Sequence, residues 1–192
     1  MFLLTVSFQV VDVVNIIASG DLGREFDLRS LLADLDADEK VYQPERSPAL
    51  QIRFDESCAV TMLYTTGSYN IMGAKNKSDL DRAYKALIGA LNDLGINTTD
   101  SAMQPKISNL VCKANLDREV NLSELTIALG VEHVEYEPEQ SPFVYYYPEN
   151  FDCLLTIPNS GKVAITGVEN TEEAADAFKH LRNQIDELFG DG

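Results

Sequence analysis

Tyr42-Gln-Pro-Glu-Arg-Ser-Pro48 and Tyr136-Glu-Pro-Glu-Gln-Ser-Pro142 are one turn signature written twice, 94 positions apart. Proline and serine at fixed places mark a loop rather than the interior of a helix or strand. Outward from this turn, the match continues on both sides. Asn15 falls on Asn109, Leu22 on Leu116, and Arg24-Glu25 on Arg118-Glu119. Leu28, Leu31 and Leu35 fall on Leu122, Leu125 and Leu129. Downstream, Gly67, Ile71 and Gly73 meet Gly161, Ile165 and Gly167. Twenty of the eighty positions from 15 to 94 are identical at this offset, without a gap. The period is too long for a solenoid unit of about 20–50 residues. It describes two copies of a half-domain, 10–97 and 105–190, joined by a short linker around Gly95 to Pro105.

Each copy predicts the same order of elements. Val10 to Ser19 and Lys106 to Asn115 read as strands from their β-branched and apolar content. FDLRSLLADL and VNLSELTIAL place leucines at helical spacing, with Asp27 and Asn121 as N-caps. After the turn come three strands, near 49–54, 58–65 and 68–72 in the first copy and 143–147, 153–157 and 162–166 in the second. A longer helix closes each copy, Lys77 to Leu94 and Thr171 to Phe189. Ser78-Asp79 and Thr171-Glu172 put acids at its positive end. With a short strand near Val41-Tyr42 and His133 to Tyr136, each half is β-α-β-β-β-β-α. Two such halves can join antiparallel sheets across a pseudo-twofold axis, helices on one face and the other face open. An uncovered sheet face in an α+β protein is usually there to bind an extended partner.

Composition limits what that partner and its setting can be. The chain has 192 residues, 45% of them apolar, which suits a folded protein rather than a disordered one. No run of about 18 apolar residues is present, so a membrane-spanning helix is not expected. Met1 to Ala18 is interrupted by Gln9, Asp12 and Asn15 and lacks a basic start and a cleavage site, so it does not read as a signal peptide. A cytoplasmic location is expected. The net charge of −16 by itself argues against binding phosphate backbones at ordinary salt. The same dispersed acid excess, with only eight lysines, fits a cytoplasm of very high salt.

Chemistry has few candidates. Cys58, Cys112 and Cys153 are unpaired in sequence and read as buried reduced thiols. His133 and His180 lie near no cysteine, so no zinc site is expected. Neither phosphate-loop nor dinucleotide glycine motifs occur, and Gly161-Lys162 lacks the upstream glycine. No cofactor and no enzymatic activity are expected.

The strings NIIASGDLGREFDL, YQPERSP, GSYNIMGAK, KISNLVCKANLDREVNL, VEYEPEQSP and SGKVAITG, in this order and with the 94-residue period, resemble the TATA-box-binding proteins of archaea and eukaryotes. They are most similar to acidic haloarchaeal members, over about residues 12–189. The resemblance implies an α+β saddle in which two repeats form one curved antiparallel sheet with helices on the convex face. It implies a transcription initiation factor that binds AT-rich promoter DNA in the minor groove through the concave face. Asn15 and Asn109 then read the centre of the site, with Ile17 and Val111 as apolar companions. Thr66 and Thr166 also face the groove, and Arg46, Arg53, Lys75 and Lys162 contact phosphates.

The chain departs from the family where phenylalanines insert between base steps. The first pair of wedge positions holds Ser47 and Tyr64, and the second holds Ser141 and Pro158. Tyr64 can still act as a wedge, whereas a serine hydroxymethyl lacks the stacking area. Met72, Ser68 and Glu169 stand where threonine, lysine and lysine are expected. The second-repeat turn keeps Tyr136, Glu137 and Glu139, which in the family meet transcription factor B. Two uses stay open at this level: promoter binding with recruitment of transcription factor B, or a protein-interaction paralogue that no longer kinks DNA. The open face also leaves room for a homodimer.

Overall fold

Both signature segments fold as a single turn in which two successive N–H groups share one carbonyl. Arg46 and Ser47 donate to the Gln43 carbonyl, and Gln140 and Ser141 to the Glu137 carbonyl, all at 2.9 Å. The computed structural model describes residues 10–54, 59–98 and 104–190. Cys58 and the start of the strand expected around it lie outside the described residues.

The elements are β1 (Asp12–Asp21), α1 (Leu28–Asp34), β2 (Glu39–Val41), β3 (Ala49–Arg53), β4 (Val60–Tyr64), β5 (Ser68–Ala74) and α2 (Lys77–Asp93). They recur as β6 (Lys106–Asn115), α3 (Leu122–Leu129), β7 (Val134–Glu135), β8 (Phe143–Tyr146), β9 (Leu154–Pro158), β10 (Lys162–Val168) and α4 (Thr171–Phe189). A 3-10 turn at Val131–His133 precedes β7, where a strand from His133 was expected. The order β-α-β-β-β-β-α is therefore present in both copies, with no boundary shifted by more than two residues. Strand β1 starts at Asp12 rather than Val10 and runs on to Asp21. Strands β5 and β10 run past the expected Met72 and Thr166 to Ala74 and Val168, because a glycine bulge in each lets pairing continue.

The chain divides into two compact units. Among the described residues, one lies within 14–109, and the other comprises 10–13 together with 110–190. In the first the antiparallel strand order is β2-β3-β4-β5-β1, and in the second β7-β8-β9-β10-β6. Alternation along the strands separates two faces. Leu50, Ile52, Leu63, Tyr69 and Ile71 are buried on one face of the first unit. Tyr69 stacks on Tyr84 of α2 with ring centroids 5.9 Å apart, so this is the face that the helix covers. In the second unit Val144, Tyr146, Leu155, Ile157, Val163 and Ile165 are buried, and the Tyr146 hydroxyl donates to Gln184 of α4 at 2.9 Å.

The caps are local and repeat. Asp27 accepts from the N–H groups of Arg29 and Ser30, and Asn121 from those of Ser123 and Glu124, as expected. Ser30 donates to the Asp27 carboxylate from its hydroxyl and its N–H, which holds that carboxyl below its usual value. For the long helices the caps are Asn76 and Asn170, which accept from Asp79 and Glu173. The serine and threonine singled out in the sequence lie one or two residues inside the helix. The asparagines were the stronger signal, since their carbonyl reaches the third N–H from an extended backbone.

One glycine pair closes each repeat. Gly67 and Gly161 have φ of +92° and +74°. A Cβ on either would stand 2.0 Å from the Arg24 carbonyl oxygen or 2.2 Å from that of Arg118. Only glycine lets the β4–β5 and β9–β10 hairpins dock this closely on the chain leaving β1 and β6. Leu22 N–H donates to the Gly67 carbonyl at 3.0 Å, and Leu116 N–H to that of Gly161 at 2.9 Å.

Cys112 and Cys153 are free and buried, Cys112 within β6 and Cys153 just ahead of β9. Burial pushes both thiols up, Cys153 to about 11, with the Glu173 and Asp152 charges adding to it. Among the described residues no helix is long and apolar enough to cross a membrane.

Candidate nucleic-acid interface

The face of each sheet opposite the helices is built by the other half of the alternation. In the first unit the register aligns Ile17 with Met72, Ser19 with Asn70 and Asp21 with Ser68. The row continues through Val60 and Met62 on β4 to Gln51 and Ala49 on β3. Most of these side chains are partly exposed, unlike the buried row on the face that α2 covers. In the second unit Val111, Lys113 and Asn115 align with Thr166, Ala164 and Lys162, then Leu154 and Thr156, then Tyr145.

Asn15 lies on this face by the same alternation, two residues before Ile17. The β1–β5 register slips between Ile16–Ala74 and Ile17–Met72, which leaves Gly73 as an extra residue. A bulge strands its own N–H outside the ladder. That N–H donates to Oδ1 of Asn15 at 2.9 Å. Because an N–H can only donate, the amide oxygen must face Gly73, and the Nδ2 donors are turned the other way. Gly73 has φ of +90°, which explains the residue type at the bulge. The same break recurs in the second repeat at Gly167, between Thr166 and Val168. Asn109 holds the position equivalent to Asn15 and is half-buried.

The remaining sequence candidates fall in four places. Ile17, Tyr64, Val111, Thr166 and Lys162 lie on the helix-free faces. Thr66 is exposed in the β4–β5 turn, where its hydroxyl donates to the Ser68 hydroxyl at 3.2 Å. Arg46 is exposed in the first signature turn, and Lys75 just beyond β5. Arg53 also lies on the open face, but its guanidinium forms an ion pair with Glu39 at 3.1 Å. Asp21 thus places a carboxylate at the margin of the first face, where Glu39 is matched by Arg53, while Lys113 and Lys162 bring cations to the second.

Ser47 and Ser141, the first member of each wedge pair, are half-buried in the turns. The Ser47 hydroxyl accepts from the Ala49 N–H at 3.4 Å, and the Ser141 hydroxyl lies 3.2 Å from that of Tyr145. Tyr64 accepts from the Asn70 amide at 3.5 Å. In the second signature turn Tyr136 is half-buried, while Glu137 and Glu139 are exposed. The Glu137 carboxylate accepts from the Gln140 amide.

Sequence reasoning missed Lys113, Asn115, Asn70, Phe143 and Tyr145 on these faces. Strand parity counted from Asn109 and Val111 would have found Lys113 and Asn115. The β8 aromatics needed the cross-strand register.

Comparison with known proteins follows the repeat. The family model described as "Transcription factor TFIID (or TATA-binding protein, TBP)" matches residues 10–94 and again 104–188. TATA-box-binding protein C of Halobacterium salinarum is 37% identical over 180 residues, covering 94% of this chain and 99% of that protein. The TATA-box-binding protein of Archaeoglobus fulgidus is 31% identical over 175 residues, covering 91% and 94%. The solved structure of Methanococcus jannaschii TBP is 35% identical, with a TM-score of 0.79 over 92% of this chain and 98% of that one. The duplicated α+β fold, the register of its open faces and these similarities together place the chain in the TATA-box-binding protein family, a family of transcription factors.

Proposed function

We propose that this protein is a promoter-binding transcription initiation factor that seats AT-rich DNA on its helix-free sheet faces. The observation that carries the reading is the hydrogen bond from Gly73 N–H to Asn15 Oδ1. It turns the amide oxygen toward the backbone and the Nδ2 donors away from it. The minor groove of an A·T pair offers acceptors only, N3 of adenine and O2 of thymine. A G·C pair adds a donor, the guanine amino group, that such an asparagine cannot accommodate.

Ile17, Val111 and the apolar side chains beside them contribute non-ionic contact with the groove floor. This matters because the charge of −16 opposes long-range attraction to phosphate. At high salt little affinity comes from counterion release, so apolar contact must dominate. Arg46, Lys75 and Lys162, with Lys113, supply the phosphate contacts. The exposed Glu137 and Glu139 serve as the surface that recruits transcription factor B.

The test is binding and bending of an end-labelled AT-rich duplex in high potassium chloride, read by energy transfer, with and without transcription factor B. The expected result is a saturable bend whose affinity rises with the factor. Factor binding with no DNA binding would overturn the promoter reading and leave a protein-interaction role.

A further inference from the structure

We infer that Phe143 is the aromatic wedge of the second repeat, displaced across the β8–β9 pair from the position where the turn signature places it. The inference rests on the DNA-binding reading above and deepens it.

The observation is a swap between equivalent cross-strand pairs. In the first repeat Ala49 of β3 stands directly opposite Tyr64 of β4. In the second, the residues at the same two places are Phe143 of β8 and Pro158 of β9, again directly opposite. Each pair therefore holds one aromatic ring and one small or compact residue, but the ring has changed strands. Opposed side chains in an antiparallel pair have Cβ atoms about 4.5–5.5 Å apart, so a ring on either strand fills the same place on the face. Ala49 is buried at 1% exposure, beside the ring of its partner, whereas Phe143 is 36% exposed.

A neighbouring ring braces Phe143. Tyr145, two residues along the same face, meets Phe143 edge-on with centroids 6.5 Å apart and planes at 65°. The Tyr145 hydroxyl is in turn tied to Ser141 at 3.2 Å. Ser141, which lacks a wedge itself, thus anchors the tyrosine that supports one. An exposed phenylalanine braced on an open sheet face has apolar area to insert between bases, and minor-groove proteins insert Phe, Leu, Ile, Met or Pro in this way. The alternative, that Phe143 only packs the strand, gives no reason for its exposure, because alanine fills the equivalent position in the first repeat.

The experiment uses the full chain and an AT-rich duplex with 2-aminopurine at both end steps, so unstacking is read by fluorescence and bending by energy transfer. Wild type is expected to brighten the probe and bend the duplex. Phe143→Ala and Tyr64→Ala should each remove about half of the brightening and weaken binding roughly tenfold. The double variant should abolish the brightening, and Phe143→Leu should retain most of it. Thermal midpoints of the single variants are expected to stay near wild type.

If wild type bends the duplex and Phe143→Ala leaves brightening and bend unchanged, the wedge assignment is wrong and the DNA-binding reading survives. A lowered thermal midpoint with unchanged unstacking per bound complex assigns Phe143 to packing and overturns the inference equally. If wild type binds no duplex, the DNA-binding reading itself fails, and the assignment with it.

Discussion

Gly73 donates its backbone N–H to the side-chain oxygen of Asn15 at 2.9 Å, across 58 residues of sequence. A bulge and an asparagine meet here, and each makes sense only with the other. The bulge leaves an N–H that must be satisfied, and the asparagine is oriented by satisfying it. Asn15→Asp keeps the acceptor for Gly73 and loses the donors. Its thermal midpoint should stay near wild type while affinity for an A·T-centred site falls by about 1–3 kcal/mol. Asn15→Ala loses both and also leaves the Gly73 N–H without its partner, which costs roughly 1–3 kcal/mol of stability. Calorimetric melting and duplex titration of both variants separate the two effects.

Glycine substitutions should act with opposite signs. Gly161→Ala puts a methyl 2.2 Å from the Arg118 carbonyl oxygen at a φ of +74°, so it destabilises by at least about 1–3 kcal/mol from the backbone conformation alone. Gly89 lies within α2, exposed, with nothing within 4 Å of an added Cβ. Gly89→Ala is expected to stabilise by about 0.5–1 kcal/mol. Urea unfolding of the two variants checks both signs.

The buried thiol of Cys153 makes stability pH-dependent on the alkaline side. Its value rises from 9.0 unfolded to about 11 folded, so the fold favours the protonated form. That contribution is complete below pH 9 and is lost as pH rises through about 11, because the unfolded chain releases its proton first. The urea midpoint should fall over this window. Cys153→Ala should flatten the fall but not remove it, since Cys112 is raised in the same direction.

Charge reversal in the second signature turn tests the recruiting surface. Glu137→Lys with Glu139→Lys is expected to weaken capture of transcription factor B at least tenfold while duplex affinity in its absence stays the same or rises. Both side chains are exposed on a turn whose backbone is held by the Glu137 carbonyl, so folding should be unaffected. Unchanged capture in a pull-down at high potassium chloride would remove these carboxylates from the interface.

What the sequence determined by itself is the duplication and everything that follows from short-range rules. The 94-residue period is read by laying the chain against itself, and the turn signature, the leucine spacing of α1 and α3 and their Asp27 and Asn121 caps depend on neighbours a few residues away. The tertiary structure decided what depends on register. That β5 carries an extra residue at Gly73, that Asn15 satisfies it, and that Arg53 is turned onto Glu39 are facts of strand pairing. So is the meeting of Phe143 with Pro158, where reading along the chain finds only a missing phenylalanine at Ser141. A sheet brings together residues from different strands by pairing, and linear spacing carries no record of which residue stands across the ladder.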